Sequence, residues 1–421
     1  MKITKVLSSF LLMVSCAPVS PQNNVESSTL ASSVPSIASS PKPSSSVSVA
    51  SPKPSSTPLL ESSPSVMPSP KQTAKLPSVS PTPSVVSTPT LSTQQNVASS
   101  KSLIACSNQI FLPNKERFNI QSINAFTVTP DGKFLYLIVN RSDLIKLSRE
   151  TGFQHIVNKV KIGSGGSFNK IVYKKNIIYF ATSNTLKRLD ENGKIENVLG
   201  ENQVDIGNIF DFIISEDDTF YVADESKGSI LSFNDKTGVL KALIGPVSVN
   251  TPSDNGYSLD GSLENNFVNT PSGLYLEEDK QVLIVSDGLN RIRQIDLNKK
   301  KINTLTGTTT SGYRDGKENA LFHNPLGLVK LNSTYYVVDS FNNVIRKISS
   351  DGTVSTVLGD PLSDNNHCRE FTEDCQLDGV GKKGTLHLPS ELKRDDSGKL
   401  YVQDSCRISE VSLVEGSYDE S

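Results

Sequence analysis

The most informative stretch for the fold is YYVVDSFNNVIRKISSDGTVSTVLG, residues 335–359, because the chain carries a closely matching stretch upstream. Residues 282–307 read VLIVSDGLNRIRQIDLNKKKINTLTG. In both, an apolar run ends in Asp, an Asn and an Ile-Arg pair follow, and the last run ends in Gly. Short runs rich in Val, Ile, Tyr and Thr, separated by Asn, Ser, Asp and Gly, are typical of β-strands joined by tight turns.

The pattern extends along most of the chain in units of about fifty residues, which is a length typical of repeat architectures. It is clearest over 257–307, 313–359 and 376–414, it is weaker over 205–245, and it fades over 122–200. In total the chain accommodates six units, and the complete ones have four short strands each. Repeated four-stranded antiparallel units indicate a β-propeller, in which radial packing protects the sheet edges.

The Asp-Gly, Pro, apolar-strand, Asp and Ile-Arg order of these units resembles NHL-repeat β-propellers. The resemblance is strongest over 257–359. It implies an all-β, six-bladed propeller with four antiparallel strands per blade. It implies no particular activity, since such propellers serve as binding platforms and, less often, as enzymes.

The first sixteen residues, MKITKVLSSFLLMVSC, have the form of an export signal. Two lysines precede a short apolar run that stops at Cys16, which resembles a bacterial lipobox whose cysteine is lipidated. The alternative is an ordinary secretory signal with an incidental cysteine. We therefore expect residues 1–16 to be a lipoprotein signal peptide and the protein to be lipid-anchored in the bacterial cell envelope, facing the periplasm or the outside.

Residues 17–100 have a different composition, rich in Pro and Ser and without Gly or aromatic residues. Such a segment buries too little apolar surface to offset the entropy of folding. We expect a disordered, semi-extended stalk there, followed by the propeller at 101–421.

The sixth unit supplies only three strands before the chain ends, so the ring needs a strand from elsewhere. We expect NQIFL, residues 108–112, to supply it. Cys106 and Cys406 would then be neighbours and form a disulfide, and Cys368–Cys375 would close a local loop. Two other pairings of these four cysteines remain open.

Long blade-joining segments at 246–270, 308–324 and 360–388 predict a binding face. A protein or carbohydrate partner is expected there. The net charge of −2 gives no reason to expect nucleic acid, and we expect a monomer.

The strand-ending aspartates recur from unit to unit, as do arginines that follow them. A structural role is the favoured interpretation, because a catalytic set is normally asymmetric; a ring of metal or substrate ligands is the alternative. The aspartates are Asp224, Asp287, Asp339 and Asp404, and the arginines are Arg293, Arg346 and Arg407.

The residue at the start of the innermost strand differs from unit to unit, so these six positions form an asymmetric set. It aligns as Ala125, Lys170, Asp211, Gly273, Gly327 and Glu391. Lys170, Asp211 and Glu391 are either ordinary solvated channel charges or a cation site, as in gluconolactonase-like propellers. No cofactor is expected, with a divalent cation such as Ca²⁺ as the alternative.

His323 and His387 each precede a Pro by two residues in consecutive units. They are candidate channel-mouth metal ligands, although two histidines are fewer than the set around the channel of the amidating lyases that this chain resembles. We predict a binding or scaffold module rather than an enzyme. The alternatives are a hydrolase or lyase with a metal-assisted site at the channel mouth, and a purely structural envelope component.

Overall fold

A computed structural model describes residues 96–105, 110–163, 167–200, 206–245, 258–264, 266–362, 378–405 and 407–415. These residues all belong to one of the two units into which the chain divides. They form β-strands and two single-turn 3₁₀ helices, Arg149–Thr151 and Ser340–Asn342. Within these ranges no helix is long and apolar enough to cross a membrane.

Three strands precede the first blade. They are β1 (Asn96–Ala105), β2 (Ile110–Phe111) and β3 (Arg117–Phe118). The first three blades follow, each given from its innermost to its outermost strand. Blade 1 has β4 (Ile123–Val128), β5 (Phe134–Val139), β6 (Asp143–Ser148) and β7 (Ile156–Lys161). Blade 2 has β8 (Lys170–Lys174), β9 (Ile177–Ala181), β10 (Leu186–Leu189) and β11 (Ile195–Leu199). Blade 3 has β12 (Ile209–Ile214), β13 (Thr219–Asp224), β14 (Ser229–Asn234) and β15 (Val239–Ile244).

The last three blades repeat this order with additions at their outer edges. Blade 4 has β17 (Pro271–Glu277), β18 (Val282–Asp287), β19 (Arg291–Asp296), β20 (Lys301–Gly307) and, outermost, the short β16 (Gly261–Ser262). Blade 5 has β21 (Pro325–Leu331), β22 (Thr334–Asp339), β23 (Val344–Ile348) and β24 (Val354–Gly359). Blade 6 has β25 (Pro389–Arg394), β26 (Leu400–Asp404), β27 (Arg407–Glu415) and β1. The prediction of an all-β, six-bladed propeller is confirmed.

The apolar core lies between the blades. Six clusters of buried side chains each join two adjacent blades. One cluster packs Ile284 of blade 4 against Val337 of blade 5, and another packs Phe126 of blade 1 against Ile408 of blade 6. Both faces of each sheet are therefore buried, which explains why the strands read as nearly continuous apolar runs.

The strand that closes the ring differs from the prediction. Residues 108–112 do not supply it, because Ile110–Phe111 pairs with Arg117–Phe118 in a small hairpin. Instead β1 pairs along the full length of β27, from Asn96 opposite Glu415 to Ala105 opposite Arg407. The run at 108–112 is cut short by Pro113, which has no N–H to extend a ladder. Because β1 is rich in serine, its first half resembles the predicted stalk in composition. The predicted end of the stalk, residue 100, therefore lies inside this strand.

The up-and-down order of each blade defines two faces. The turns between the second and third strands and the segments that join successive blades lie on one face, here called the joining face. The turns between the first and second and between the third and fourth strands lie on the other, the hairpin face. The longest connections follow β15, β20 and β24, and they therefore leave from the joining face. Described parts of them also pair with outermost strands, Gly261 with Ile302 and Gly316 with Val354.

Candidate functional site

The recurrent aspartates lie at the joining-face ends of the second strands and are almost completely buried. In blade 5, Asp339 Oδ2 accepts from Arg346 Nη1 at 2.7 Å and from Asn342 Nδ2 at 2.8 Å, and Oδ1 accepts the backbone N–H of His323 at 2.7 Å. Each contact ties the second strand to a different part of the same blade. The carboxylate is thus saturated by protein donors.

Blade 4 repeats this arrangement with a second arginine. Asp287 is paired with both Arg291 and Arg293, and its Oδ1 accepts the backbone N–H of Leu289 at 3.0 Å. Arg293 is completely buried, and a buried arginine is costly unless its donors are satisfied.

Blades 3 and 6 depart from this arrangement. In blade 3, Asp224 accepts backbone N–H groups of Gly207 and Lys227, and the residue opposite it in the β13–β14 ladder is Ser229 where blades 4 and 6 have arginine. In blade 6, Arg407 does pair with Asp404. However, it lies directly opposite that aspartate in the β26–β27 ladder, which is the position of Arg291 and not that of Arg293 or Arg346. The sequence alignment of Arg407 with Arg293 and Arg346 is therefore wrong by two residues along the third strand.

The Asp-Gly aspartates have a role that sequence reasoning missed. Asp315 accepts from Arg346 Nη2 at 2.6 Å and from the backbone N–H of Thr356 in the outermost strand at 2.9 Å. Asp260 binds Arg293 at 3.0 Å, and Asp378 accepts the N–H of Ser102 in β1 at 2.7 Å. An Asp-Gly pair by itself indicates only a turn. The aspartates' spacing of about thirty residues from the arginine concealed the contact.

The innermost strands bring together three of the predicted channel residues. Lys170 Nζ lies 2.7 Å from Asp211 Oδ1 and 2.7 Å from Glu391 Oε2. Asp211 Oδ2 also accepts the backbone N–H of Leu274 in blade 4 at 2.9 Å. We call Lys170, Asp211 and Glu391 the channel triad. The triad joins blades 2, 3 and 6, and it is buried rather than solvated: the Lys170 and Asp211 side chains are 6% and 2% exposed.

The electrostatics of the triad favour the charged forms of Lys170 and Glu391, whereas burial raises the pKa of Asp211 above its ordinary value. Burial opposes the charge on Lys170, but the two carboxylates outweigh burial and raise its pKa above the ordinary value. Burial also opposes the charge on Glu391, and Lys170 and Lys393 together hold the pKa of Glu391 below its ordinary value. An ammonium therefore occupies the space between the two carboxylates that a cation would need.

A fourth charged group was missed by sequence reasoning. Lys393 Nζ lies 3.8 Å from Glu391 Oε1, two residues further along the same strand. Burial, reinforced by the charge of Lys170 and opposed by Glu391, lowers the pKa of Lys393 to about 8. Side chains two residues apart on a strand point to the same side, so Lys393 and Glu391 share one side of β25. Lys393 could have been identified from the sequence by this spacing.

The two glycines of the asymmetric set leave room for the triad and its surroundings. A Cβ at Gly327 would come within 2.9 Å of Glu391 Oε1 and 2.8 Å of the backbone nitrogen of Leu392. A Cβ at Gly273 would come within 2.3 Å of the Leu326 carbonyl oxygen. Close approach of adjacent innermost strands therefore requires glycine at both positions.

The two histidines lie in equivalent joining segments, but each contacts its own blade. The ring of His323 packs edge-on against Phe341, with centroids 5.0 Å apart, and burial lowers its pKa. His387 Nδ1 lies 2.8 Å from Ser405 Oγ, whose hydroxyl donates to the His387 carbonyl oxygen at 2.7 Å. Both contacts of the Ser405 hydroxyl are thus with His387, and they hold the histidine against the strand end of its own blade. Across the described ranges no group of three or more His, Asp or Glu side chains is arranged to hold a metal ion.

Several predicted residues lie outside the described ranges. They are Cys16, Cys106, Cys368, Cys375 and Cys406. The described neighbours of two of them, Ala105 and Arg407, face each other in the β1–β27 ladder.

Comparison with known proteins supports the fold and leaves the family open. No family model matches the chain. It is 24% identical over 258 residues to Teneurin-m of Drosophila melanogaster, a match that covers 56% of this chain and 9% of that protein. It is 30% identical over 146 residues to the chloroplastic Protein SUPPRESSOR OF QUENCHING 1 of Arabidopsis thaliana, covering 33% of this chain and 14% of that one. The chain thus spans a small part of each curated relative.

Solved structures are similar over three quarters of the chain. A protein of unknown function from Bacteroides thetaiotaomicron superposes with a TM-score of 0.56 at 17% identity, covering 76% of this chain and 77% of that one. An auxiliary nutrient binding protein from the same organism gives 0.54 at 12% identity, with 76% and 78% covered. A streptogramin B lyase gives 0.50 at 12% identity, with 76% and 99% covered. At these identities the similarity establishes the propeller fold alone.

Proposed function

We propose that this protein is a cell-surface binding module. A lipidated Cys16 would anchor it in the bacterial envelope, the 17–100 segment would carry the propeller away from the membrane, and the joining face would bind a protein or carbohydrate partner. The observation that carries the proposal is the channel triad. Lys170 Nζ lies 2.7 Å from both Asp211 and Glu391, so it already fills the position between these carboxylates that an external cation would need.

The surface supports the joining face as the binding face. Large apolar side chains that remain exposed include Leu259, Leu362 and Val380, which all lie in blade-joining segments. Leu259 is 56% exposed and Leu362 is 80% exposed. Exposed apolar side chains near long connections are a common feature of binding surfaces. The propeller named an auxiliary nutrient binding protein shows that this fold is compatible with such a role.

The test compares matched substitutions on the two faces of the full-length protein. Ligands are first identified on a glycan array and by cross-linking at the cell surface, and their affinities are then measured by titration. We expect Leu259→Asp/Leu362→Asp to weaken binding at least about tenfold, since hot-spot residues typically cost more than ~1.4 kcal/mol. The control is Val157→Asp/Val239→Asp, whose residues are 48% and 47% exposed and lie near the hairpin face. Equal loss of affinity in both variants would refute the proposal that the partner binds at the joining face.

The second candidate is a hydrolase or lyase with a metal-assisted channel site. Measurements on the same full-length protein distinguish this enzyme from the binding module. Elemental analysis of the purified full chain would find a stoichiometric metal in that case. The metal would also disappear in Asp211→Asn/Glu391→Gln. A metal-free protein that keeps its ligand affinity in this double variant supports the binding module.

A further inference from the structure

The channel triad holds an amino group against a carboxyl group in a place that largely excludes water. Lys170 Nζ lies 2.7 Å from Asp211 Oδ1, and the two side chains are 6% and 2% exposed. Asp211 Oδ1 has no hydrogen-bond partner among the described residues, so this contact is close but is not aligned as a hydrogen bond. Because a carboxyl C–O bond is about 1.2 Å long, Nζ lies within roughly 4 Å of Asp211 Cγ. Reacting atoms in a near-attack arrangement are about 3–3.5 Å apart.

Glu391 is the second carboxyl group beside the amine. Its Oε2 lies 2.7 Å from Lys170 Nζ, and Lys393 Nζ lies 3.8 Å from its Oε1. These two lysines hold the pKa of Glu391 below its ordinary value, whereas burial raises the pKa of Asp211. Of the two carboxyl groups, Asp211 therefore takes up a proton more readily, and Glu391 remains available as a base.

The backbone of blade 4 contributes a hydrogen-bond donor to the same carboxyl group. Leu274 donates its N–H to Asp211 Oδ2 at 2.9 Å. A backbone N–H directed at a carbonyl oxygen stabilises the negative charge that develops there when a nucleophile attacks the carbon. Oδ2 is thus the oxygen that is retained in such a reaction, and Oδ1, which lies against Lys170, is the oxygen that leaves.

We propose that Lys170 and Asp211 condense to form an isopeptide bond that links blade 2 to blade 3. The amine, the carboxyl group, the base and the N–H donor lie on β8, β12, β25 and β17, which only the closed ring brings together. Well-oriented pairs of reacting groups have effective concentrations of about 10⁵ M or more. The burial of the pair further favours a reaction that releases water.

The condensation is balanced within the triad. One proton passes from the Lys170 ammonium to Asp211 Oδ1, which gives an amine and a carboxylic acid. The nitrogen lone pair forms a bond to Cγ, and the Cγ–Oδ2 π pair moves to Oδ2, where the Leu274 N–H binds it. Glu391 then takes one proton from the nitrogen and delivers it to Oδ1. The Cγ–Oδ1 bond breaks, one water leaves, the Cγ–Oδ2 π bond forms again, and Glu391 is a carboxylate as before.

The charge state of Lys170 determines the pace of this reaction. Both carboxylates raise the pKa of Lys170, so its ammonium form predominates and the attacking amine is a minor form. The condensation is therefore slow. A slow reaction is sufficient here, because the bond forms once in each molecule.

A second lysine–carboxylate contact in the protein provides an internal control. Lys330 Nζ contacts Glu277 Oε1, and the two side chains are 16% and 3% exposed. A second ammonium, that of Lys280, lies 2.7 Å from Glu277 Oε2. Hydrogen bonds from these lysines outweigh burial and lower the pKa of Glu277 to about 2. Glu277 is thus kept as a carboxylate, which is a poor electrophile, so we expect this contact to remain unlinked.

The experiment is peptide mass spectrometry of the purified full chain after reduction, denaturation and proteolysis. We expect a branched peptide that contains Lys170 and Asp211 and has lost one water, together with unlinked peptides for Lys330 and Glu277. Glu391→Gln keeps the size of the side chain and removes the base, so the linked peptide should accumulate at least about tenfold more slowly. Lys170→Arg keeps the positive charge and should give no linked peptide.

Unlinked Lys170 and Asp211 peptides from folded wild-type protein after prolonged incubation would overturn the inference, whether or not any variant folds. A link from Lys170 to Glu391 would overturn the assignment of Asp211 as the acceptor. This inference is independent of the proposed binding face: Leu259→Asp/Leu362→Asp should keep the Lys170–Asp211 link even where it abolishes partner binding.

Discussion

A buried ion pair must offset the loss of hydration of both charges. In blade 5 the Asp339–Arg346 pair does so through further hydrogen bonds, whereas Nε of Arg293 in blade 4 and of Arg407 in blade 6 has no hydrogen-bond partner among the described residues. Asp339 receives three donors, and Arg346 also donates to Asp315 and to two backbone carbonyl groups. Such networks are valuable chiefly because removing one partner leaves the other buried and unpaired. The recurrence of these residues therefore reflects the assembly of each blade.

The charge on Asp339 predicts a pH dependence of stability. Burial, opposed by Arg346, raises the pKa of Asp339 to about 6, above the unfolded value of about 3.9. The folded state therefore binds this proton more tightly, and the contribution of Asp339 to stability increases as the pH falls from 7 towards 4. Relative to Asp339→Asn, the wild-type protein should gain about 1 kcal/mol in the free energy of unfolding between pH 7 and pH 5. Urea titrations of both proteins at the two pH values measure it, and parallel changes would contradict it.

At the scale of elements, β1 is the strand on which the ring depends. β27 pairs with one of its edges. On the other edge Ser100 donates its N–H to the Gly379 carbonyl at 2.8 Å, and Gly381 donates to Ala98 at 2.9 Å. Although it is the outermost named strand of blade 6, β1 is thus bonded on both edges. This double pairing hides an edge that would otherwise invite association.

A proline in β1 should therefore be poorly tolerated. Ser100→Pro removes the N–H that bonds Gly379 and restricts φ within the ladder, and we expect it to lower the free energy of unfolding by about 3 kcal/mol. Ser100→Ala is the matched control, since it keeps the N–H and removes a buried hydroxyl that has no hydrogen-bond partner in the structure. Chemical denaturation followed by far-UV circular dichroism distinguishes them. A proline variant as stable as the alanine variant would show that the second edge of β1 contributes little.

At the scale of the whole molecule, the ring is closed by residues from both ends of the propeller. The core is divided among six inter-blade clusters, and each of them joins two adjacent blades. The contact between β1 and β27 joins segments from opposite ends of the propeller, so we expect a covalent link there to increase the stability of the fold more than a link within one blade.

We expect a Cys106–Cys406 disulfide at this closure. Ala105 and Arg407, their neighbours in the chain, are paired across the two strands. Such a link would close nearly the whole propeller and stabilise it by roughly 5–6 kcal/mol in the chain-entropy model. Peptide mapping without reductant should find the linked pair. Cys106→Ser/Cys406→Ser should lower the melting temperature, while Cys368→Ser/Cys375→Ser should lower it less. Free thiols at 106 and 406 in protein exported to an oxidising compartment would contradict the assignment.

The propeller could be predicted from the sequence because its information is local and repeated. Strand composition, the turn residues and the unit length recur, so even the faded units of blades 1 and 2 could be placed by analogy with 282–359. The assembly of Lys170, Asp211 and Glu391 was anticipated for the same reason, since equivalent positions of successive blades must converge on one axis.

Contacts between segments that are far apart in the sequence could be identified only from the tertiary structure. The sequence could not show that β1 displaces residues 108–112 as the closing strand, because serine-rich β1 has no apolar run and its strand character comes from pairing on both edges. It could not show that the channel charges are buried, or that Lys393 lies beside them, because burial depends on how closely the innermost strands approach. The repeat thus specifies the blades, whereas the contacts between segments far apart in the chain determine how the ring closes and how its central charges are neutralised.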